Sequence, residues 1–254
     1  MIFYFSAGCI GDDKHLARNN VENILISYFY ITKNRLKYLG GIKNLLIDSG
    51  GFTAIKKGKK IDVIKYAQFL NNNQIKKAFT LDVPDLEESK FNLKYLEKNT
   101  TTQIIPIYHP SEYMDLKYRD LIKEYAKKYD YIGIGGLVNR KLKKSFKIEF
   151  LDYVFKYAKG VKLHGLGLYS DMYLKNYPFY SVDFTSWVNT RKYGCSVIPT
   201  YTRETLKIRN QTVCSSDRLD EEIQYILNKK NNSLNHEEVF KLTRYRLKSR
   251  LNPV

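Results

Sequence analysis

The stretch NLLIDSGGFTA, residues 44–54, joins an apolar run to an aspartate, two glycines and an aromatic ring. Leu45, Leu46 and Ile47 read as a buried strand, and Asp48 closes it. A carboxylate at that position is costly to bury unless it is paired, so it tends to face an open mouth. Gly50 and Gly51 remove side chains where backbone could approach a flat ligand. The same aspartate would also serve as a cap on the next helix or turn, so one strand end alone decides nothing.

The pattern recurs along the chain. Strand-like runs occur at 2–8 (IFYFSAG), 44–50, 77–82 (KAFTLD), 103–109 (QIIPIYH), 131–136 (YIGIGG), 162–167 (KLHGLG), 180–185 (YSVDFT) and 195–201 (CSVIPTY). Most gaps place apolar residues at threes and fours, as in 21–39, 61–72, 85–98, 118–129 and 148–159, which predicts helices. Strands alternating with helices argue for an α/β fold with a parallel sheet. Eight strands in a chain of 254 residues match the size of a (β/α)8 TIM barrel, with an open doubly wound sheet as the competing arrangement. No Pro- or Ser-rich linker divides the chain, so one domain over 1–254 is expected, ending in a basic helical tail over 216–254.

Composition narrows the partners. Forty-three Lys and Arg against 26 Asp and Glu leave a net charge of +17. Such a field gathers polyanions, although a lysine-rich surface with dispersed charges would give the same total. The basic residues cluster, however: Lys56, Lys57, Lys59 and Lys60 follow the opening motif, and Arg140, Lys141, Lys143 and Lys144 follow a glycine motif. A third group, Lys241, Arg244, Arg246, Lys248 and Arg250, lines the tail. No run approaches the roughly 20 apolar residues of a membrane span, and early charges at Asp12, Asp13, Lys14 and Arg18 interrupt any signal-like segment. Cys9, Cys195 and Cys214 are an odd, dispersed set that suggests no disulfide framework. The expectation is a soluble cytoplasmic protein without a membrane partner.

In barrels the reacting groups sit at the carboxyl ends of the strands, where the loops converge. Here those ends carry Asp48, Asp82, His109, Gly135 with Gly136, His164 with Gly165, and Asp183. Three aspartates at separate strand ends, with glycines beside other ends, favour a shared site over three unrelated caps.

These residues resemble a family. Asp48-Ser-Gly-Gly-Phe52 resembles the Asp-Ser-Gly-Gly-aromatic signature of the tRNA-guanine transglycosylases, (β/α)8 enzymes that exchange guanine for a 7-deazaguanine. Tyr131-Ile-Gly-Ile-Gly-Gly-Leu137 resembles that family's Gly-Gly-Leu strand, and Leu163-His-Gly-Leu-Gly167 its later glycine strand. Val182-Asp183, followed by Thr190-Arg191 and Gly194, resembles the strand that carries the catalytic aspartate. The motifs keep the family's order from 48 to 194. The resemblance implies Asp183 as the nucleophile and Asp48 as acid/base or as support for the departing base. It implies a base pocket of Asp82, Phe52, Gly51, His109, Gly135, Gly136, Leu137 and His164. Phe52 would stack on the base, Asp82 would accept from its donor edge, and the Gly135–Gly136 backbone would donate to its carbonyl. Lys56, Lys57, Arg140, Lys141 and Arg191 would hold backbone phosphates.

The departures choose the polymer. The tRNA-acting members carry a zinc module of closely spaced cysteines with a histidine, and here that region holds only Cys214 and His236. Those two do not complete a tetrahedral site, so no zinc and no cofactor is expected. Thr53 stands where a glutamine is usual, and the segment from Asp183 to Thr190 is long. The Val-Asp-x-Thr-Ser-Trp form over 182–187 looks more like phage and bacterial relatives that insert 7-deazaguanines into DNA. DNA is therefore preferred to tRNA, and a phage-encoded chain would act in the host cytoplasm.

Other readings stay open at this stage. His109 and His164 could join an aspartate at a metal, but the two-histidine motif of barrel hydrolases is missing. His109 is otherwise a base contact or a structural histidine. Gly133, Gly135 and Gly136 lack the acidic partner of a dinucleotide fingerprint. Trp187, Tyr180 and Tyr193 could stack on splayed nucleotides or belong to the core. Cys9 and Cys195 read as small buried side chains. The rival functions are a non-catalytic nucleic-acid-binding subunit of the same fold and a hydrolase that removes the base without replacing it.

Overall fold

In a computed structural model, residues 1–8, 16, 21–32, 35, 42–168, 170–185, 195–201 and 208–214 are described. The chain divides into two compact units, Met1–Thr185 and Ser186–Val254.

The first unit is an α/β fold built on a nearly closed, barrel-like parallel sheet, compatible with a TIM-like barrel. Its strands are β1 (Ile2–Ala7), β2 (Asn23–Ser27), β3 (Asn44–Asp48), β4 (Lys77–Phe79), β5 (Gln103–Ile105), β6 (Ile107–Tyr108), β7 (Tyr131–Ile134), β8 (Lys162–Gly165) and β9 (Ser181–Phe184). They run in the order β5-β4-β3-β2-β1-β9-β8-β7-β6. The two outermost segments, β5 and β6, are consecutive in the chain and flank Pro106, so the sheet curls until its ends meet within one extended stretch. β5 pairs with β4 and β6 with β7, both parallel. Proline has no N–H to give, but its carbonyl accepts from Gly133 at 2.8 Å and keeps the seam bonded.

Nearly every strand contributes to the interior. Tyr4, Leu25, Leu46, Phe79, Ile105, Ile107 and Tyr131 form one buried cluster, one residue from each of β1 to β7. Helices cover the outside: α1 (Gly51–Lys56), α2 (Val63–Asn72), α3 (Leu86–Asn99), α4 (Pro110–Met114), α5 (Leu121–Lys128), α6 (Lys144–Tyr157) and α7 (Asp171–Asn176). Their starts are legible. Asp62 caps α2 by accepting from Ile64 N–H, and Asp85 caps α3 by accepting from Glu88 N–H. α2 then buries Tyr66, Ala67 and Leu70 on one face, the spacing its pattern predicts. Among the described residues no helix is long and apolar enough to cross a membrane.

Two expectations about the strands are corrected together. Residues 21–39 read as a helix, yet Asn23–Ser27 is a strand, followed by a 3-10 turn at Tyr28–Tyr30. Ile24, Leu25 and Ile26 are all buried, and a strand covered on both faces shows no alternation, so periodicity could not separate it from a buried helix. β2 sits between β1 and β3 and takes the place expected for 195–201.

In the second unit, β10 (Cys195–Tyr201) pairs antiparallel with β11 (Ile208–Cys214), from Cys195 opposite Cys214 to Tyr201 opposite Ile208. The short link between them permits a hairpin, whereas a parallel partner would need a long crossover. The basic tail expected from 216 lies outside the described residues, as does Cys9.

Candidate active site

Because all neighbours in the barrel-like sheet are parallel, their carboxyl ends open on one face. Asp48 ends β3, Asp82 follows β4, His109 follows β6, Gly135 and Gly136 follow β7, and Asp183 lies in β9. The three aspartates are close enough to interact. Burial pushes the Asp48 carboxyl from its ordinary 3.8 up to about 7, and the charges of Asp82 and Asp183 add to the rise. The Gly50 N–H, 3.1 Å from Asp48 Oδ2, and the Ser27 hydroxyl pull it back in part. At neutral pH Asp48 therefore holds its proton for a large part of the time.

Asp183 is treated differently. Ser6 Oγ donates to its Oδ2 at 2.6 Å, and Gly167 N–H donates to Oδ1 at 2.6 Å. His164 Nε2 lies 3.2 Å from the same Oδ1. His164 is fully buried inside the barrel, with the rings of Tyr4, Phe79 and Tyr131 around it. Its Nδ1 is 2.7 Å from Ser181 Oγ, which lies 2.5 Å from Tyr131 OH. One direction satisfies every group: Tyr131 OH donates to Ser181, Ser181 donates to Nδ1, and Nε2–H donates to Asp183. The strand-end histidine thus stands beneath the aspartate as its support.

On the opposite side, His109 Nε2 is 2.8 Å from Asp82 Oδ2, with both side chains partly exposed. Burial alone would lower the His109 imidazole, but the bonded Asp82 carboxylate, with Glu112 behind it, raises it above the ordinary 6.5. Glu112 is itself buried, which raises its carboxyl, and Ser111 Oγ donates to it at 2.6 Å. Asp82, His109 and Glu112 line a cavity of about 240 Å³ with Thr80 and Ser89. Among the described residues the buried Thr80 hydroxyl there has no hydrogen-bond partner.

The glycines have structural reasons of their own. A Cβ on Gly51 would sit 2.5 Å from the Asp82 carbonyl oxygen, so Gly51 lets the β3 and β4 ends touch backbone to backbone. The His109 ring lies against Gly135, where a Cβ would collide with it. Leu137 is buried, and its carbonyl accepts from Lys147 Nζ at 2.7 Å. Phe52 stands out at 67% exposed in the first turn of α1, with Lys56 Nζ 4.2 Å above its ring. Lys57, Arg140 and Lys141 are exposed. Thus Asp48, Asp82 and Asp183 share the mouth, and His109 joins Asp82 there. Thr190, Arg191, Gly194, Trp187, Tyr193 and His236 lie outside the described residues.

Sequence reasoning missed Ser6, Tyr131 and Ser181 as partners of the site, and gave Gly167 no role in holding Asp183. Ser6 offered one signal, a hydroxyl inside the apolar run 2–8. Among the described residues no group of three or more His, Cys, Asp or Glu side chains is arranged to hold a metal ion. Each histidine of the mouth is committed to a carboxylate instead.

Chemically, the mouth offers one carboxylate held by several donors and a second that keeps its proton near neutrality. A carboxylate held by donors suits a nucleophile, and a carboxyl that keeps its proton suits an acid. No protein-family model matches the chain, and no curated protein matches it.

Proposed function

We propose that this chain is a base-exchange transglycosylase on a (β/α)8 barrel, which replaces guanine in DNA with a 7-deazaguanine. The observation that carries the reading is the contrast between Asp48, protonated up to about pH 7, and Asp183, gripped by Ser6, Gly167 and His164. The motif resemblance supplies the substrate class, and the clustered lysines suit a polyanion.

In the first half-reaction an Asp183 oxygen attacks C1′ of the target nucleotide. The C1′–N9 bond breaks, its electron pair goes to the departing guanine, and Asp48 supplies the proton that neutralises it. Oδ2 is the better placed attacking atom, since Oδ1 already meets both Gly167 N–H and His164. In the second half the incoming base gives its N9 proton to Asp48 and attacks C1′, and the bond to Asp183 breaks. Two inversions give net retention, as in retaining glycosidases. Asp82 accepts from the base's donor edge, with His109 holding that carboxylate across 2.8 Å. Phe52 offers the base an exposed ring face.

DNA is preferred to tRNA because the Val-Asp-x-Thr-Ser-Trp form resembles the DNA-acting relatives. Incubation with radiolabelled guanine and either duplex DNA or tRNA, at matched salt, tests both halves of the reading. Label is expected in DNA. Label in tRNA alone would move the substrate and keep the chemistry. Release of free guanine without incorporation would make the chain a hydrolase, and no release or label from folded protein would remove the enzyme reading.

A further inference from the structure

Beside the mouth lies a strip of aromatic rings and lysines that the exchange chemistry does not use. Phe29 and Tyr30 belong to the turn after β2, and their rings meet edge to face at 5.1 Å. Lys57 Nζ stands 4.8 Å from the Tyr30 ring centre and 5.4 Å from that of Phe29, and Lys59 Nζ 6.0 Å from Phe29. Among the described residues neither lysine meets a carboxylate, whereas neighbouring Lys60 is bonded to Glu88 at 2.8 Å. An open groove of about 350 Å³ continues the strip past Tyr28, Phe29 and Ile31.

The strip is built into the site. Gly50 has φ 76°, and a Cβ there would meet Phe29 Cβ at 2.6 Å and the Ser27 hydroxyl closer still. The turn of Phe29 and Tyr30 is therefore seated directly on the Asp48 motif. After α1 the chain folds back: Gly58 N–H donates to the Ile55 carbonyl at 2.9 Å and Lys59 N–H to that of Ala54 at 2.8 Å. This return brings Lys57 and Lys59 to the same rings.

Cations interleaved with ring faces are what an unpaired nucleic-acid strand needs: phosphates pair with the ammonium groups while bases stack on the rings. A closed duplex hides its base faces and would use the lysines alone. We propose that Phe29, Tyr30, Lys57 and Lys59 form a platform for unpaired nucleotides next to the one drawn into the mouth. This rests on the reading of the chain as an enzyme that extrudes a base from nucleic acid.

Fluorescence anisotropy with labelled oligo(dT) and with a hairpin duplex of equal charge tests the platform. Tyr30→Ala, at a 36% exposed position, should weaken oligo(dT) binding roughly 5- to 150-fold, as loss of one stacked base does, and leave the salt slope unchanged. Tyr30→Phe should restore binding. Lys57→Gln with Lys59→Gln should flatten the slope by roughly 0.7 for each phosphate left without its lysine. Phe29→Ala should repeat the Tyr30→Ala loss, with circular dichroism confirming the fold. Unchanged oligo(dT) affinity in Tyr30→Ala, or duplex binding weakened equally, would overturn the platform. Guanine exchange by the unaltered enzyme reports on the underlying reading separately, so either can fail alone.

Discussion

On the β8–β9–β1 side of the mouth, Asp183 is met by a serine hydroxyl, a backbone N–H and a buried histidine. On the β3–β4 side, Asp48 has lost water, has two other carboxylates nearby, and keeps its proton to about pH 7. Both residues reach one rim, Asp48 at the end of β3 and Asp183 in β9 with β2 and β1 between them, and their surroundings differ. One side meets its carboxylate with three donors; on the other, burial and two carboxylates outweigh the Gly50 N–H. A fold that opens all its parallel strand ends on one face can hold both environments within one mouth.

The sharpest way to break this contrast is Asp183→Asn, which keeps the shape and one acceptor oxygen but removes the attacking charge. Base exchange should fall by at least about 10³-fold while oligonucleotide affinity stays within about 2-fold. Wild-type exchange from this variant would transfer the nucleophile to Asp48.

Removing the support beneath Asp183 should cost stability as well as rate. His164→Leu fills similar space but strands Ser181 and one side of Asp183 in a buried site. Chemical denaturation should show a loss of about 2–4 kcal/mol. No loss would mean that the Tyr131–Ser181–His164 chain does not hold the aspartate.

Asp48→Asn should act in the opposite direction. The folded pKa of Asp48 is raised above its unfolded value of 3.8, so wild-type stability from this group falls as pH rises from 3.8 towards 7. The variant escapes that penalty. It should be more stable than wild type by about 1–3 kcal/mol at pH 8, the open mouth screening part of the full shift. The gain should vanish near pH 4, as thermal melts across pH would read. Exchange by the wild-type enzyme should decline as pH rises through about 7, when the acid loses its proton.

Arg140→Gln with Lys141→Gln should have the smallest effect. Both residues are exposed, so stability should change by less than about 0.5 kcal/mol. The slope of log affinity for duplex DNA against log salt should flatten by roughly 0.9 for each phosphate no longer neutralised. Sequence preference should stay the same, because phosphate contacts position without specifying.

Taken alone, the amino-acid sequence is enough for the local features: apolar runs ending in Asp48, Asp82, His109 and Asp183, caps such as Asp62 and Asp85, and clustered charge. Each follows from a few adjacent residues, and the parallel architecture follows from their alternation. The rest arises only in three dimensions. Ile24, Leu25 and Ile26 became a strand only because β1 and β3 pair with them along both edges. Closure at Pro106 needed β4 and β7 to arrive from either side. Ser6 reaches Asp183 across 177 residues of chain, and His164 and Gly167 arrive from another strand end. That Asp48 keeps its proton depends on burial and on neighbouring charges brought from distant segments, and no local spacing encodes that field.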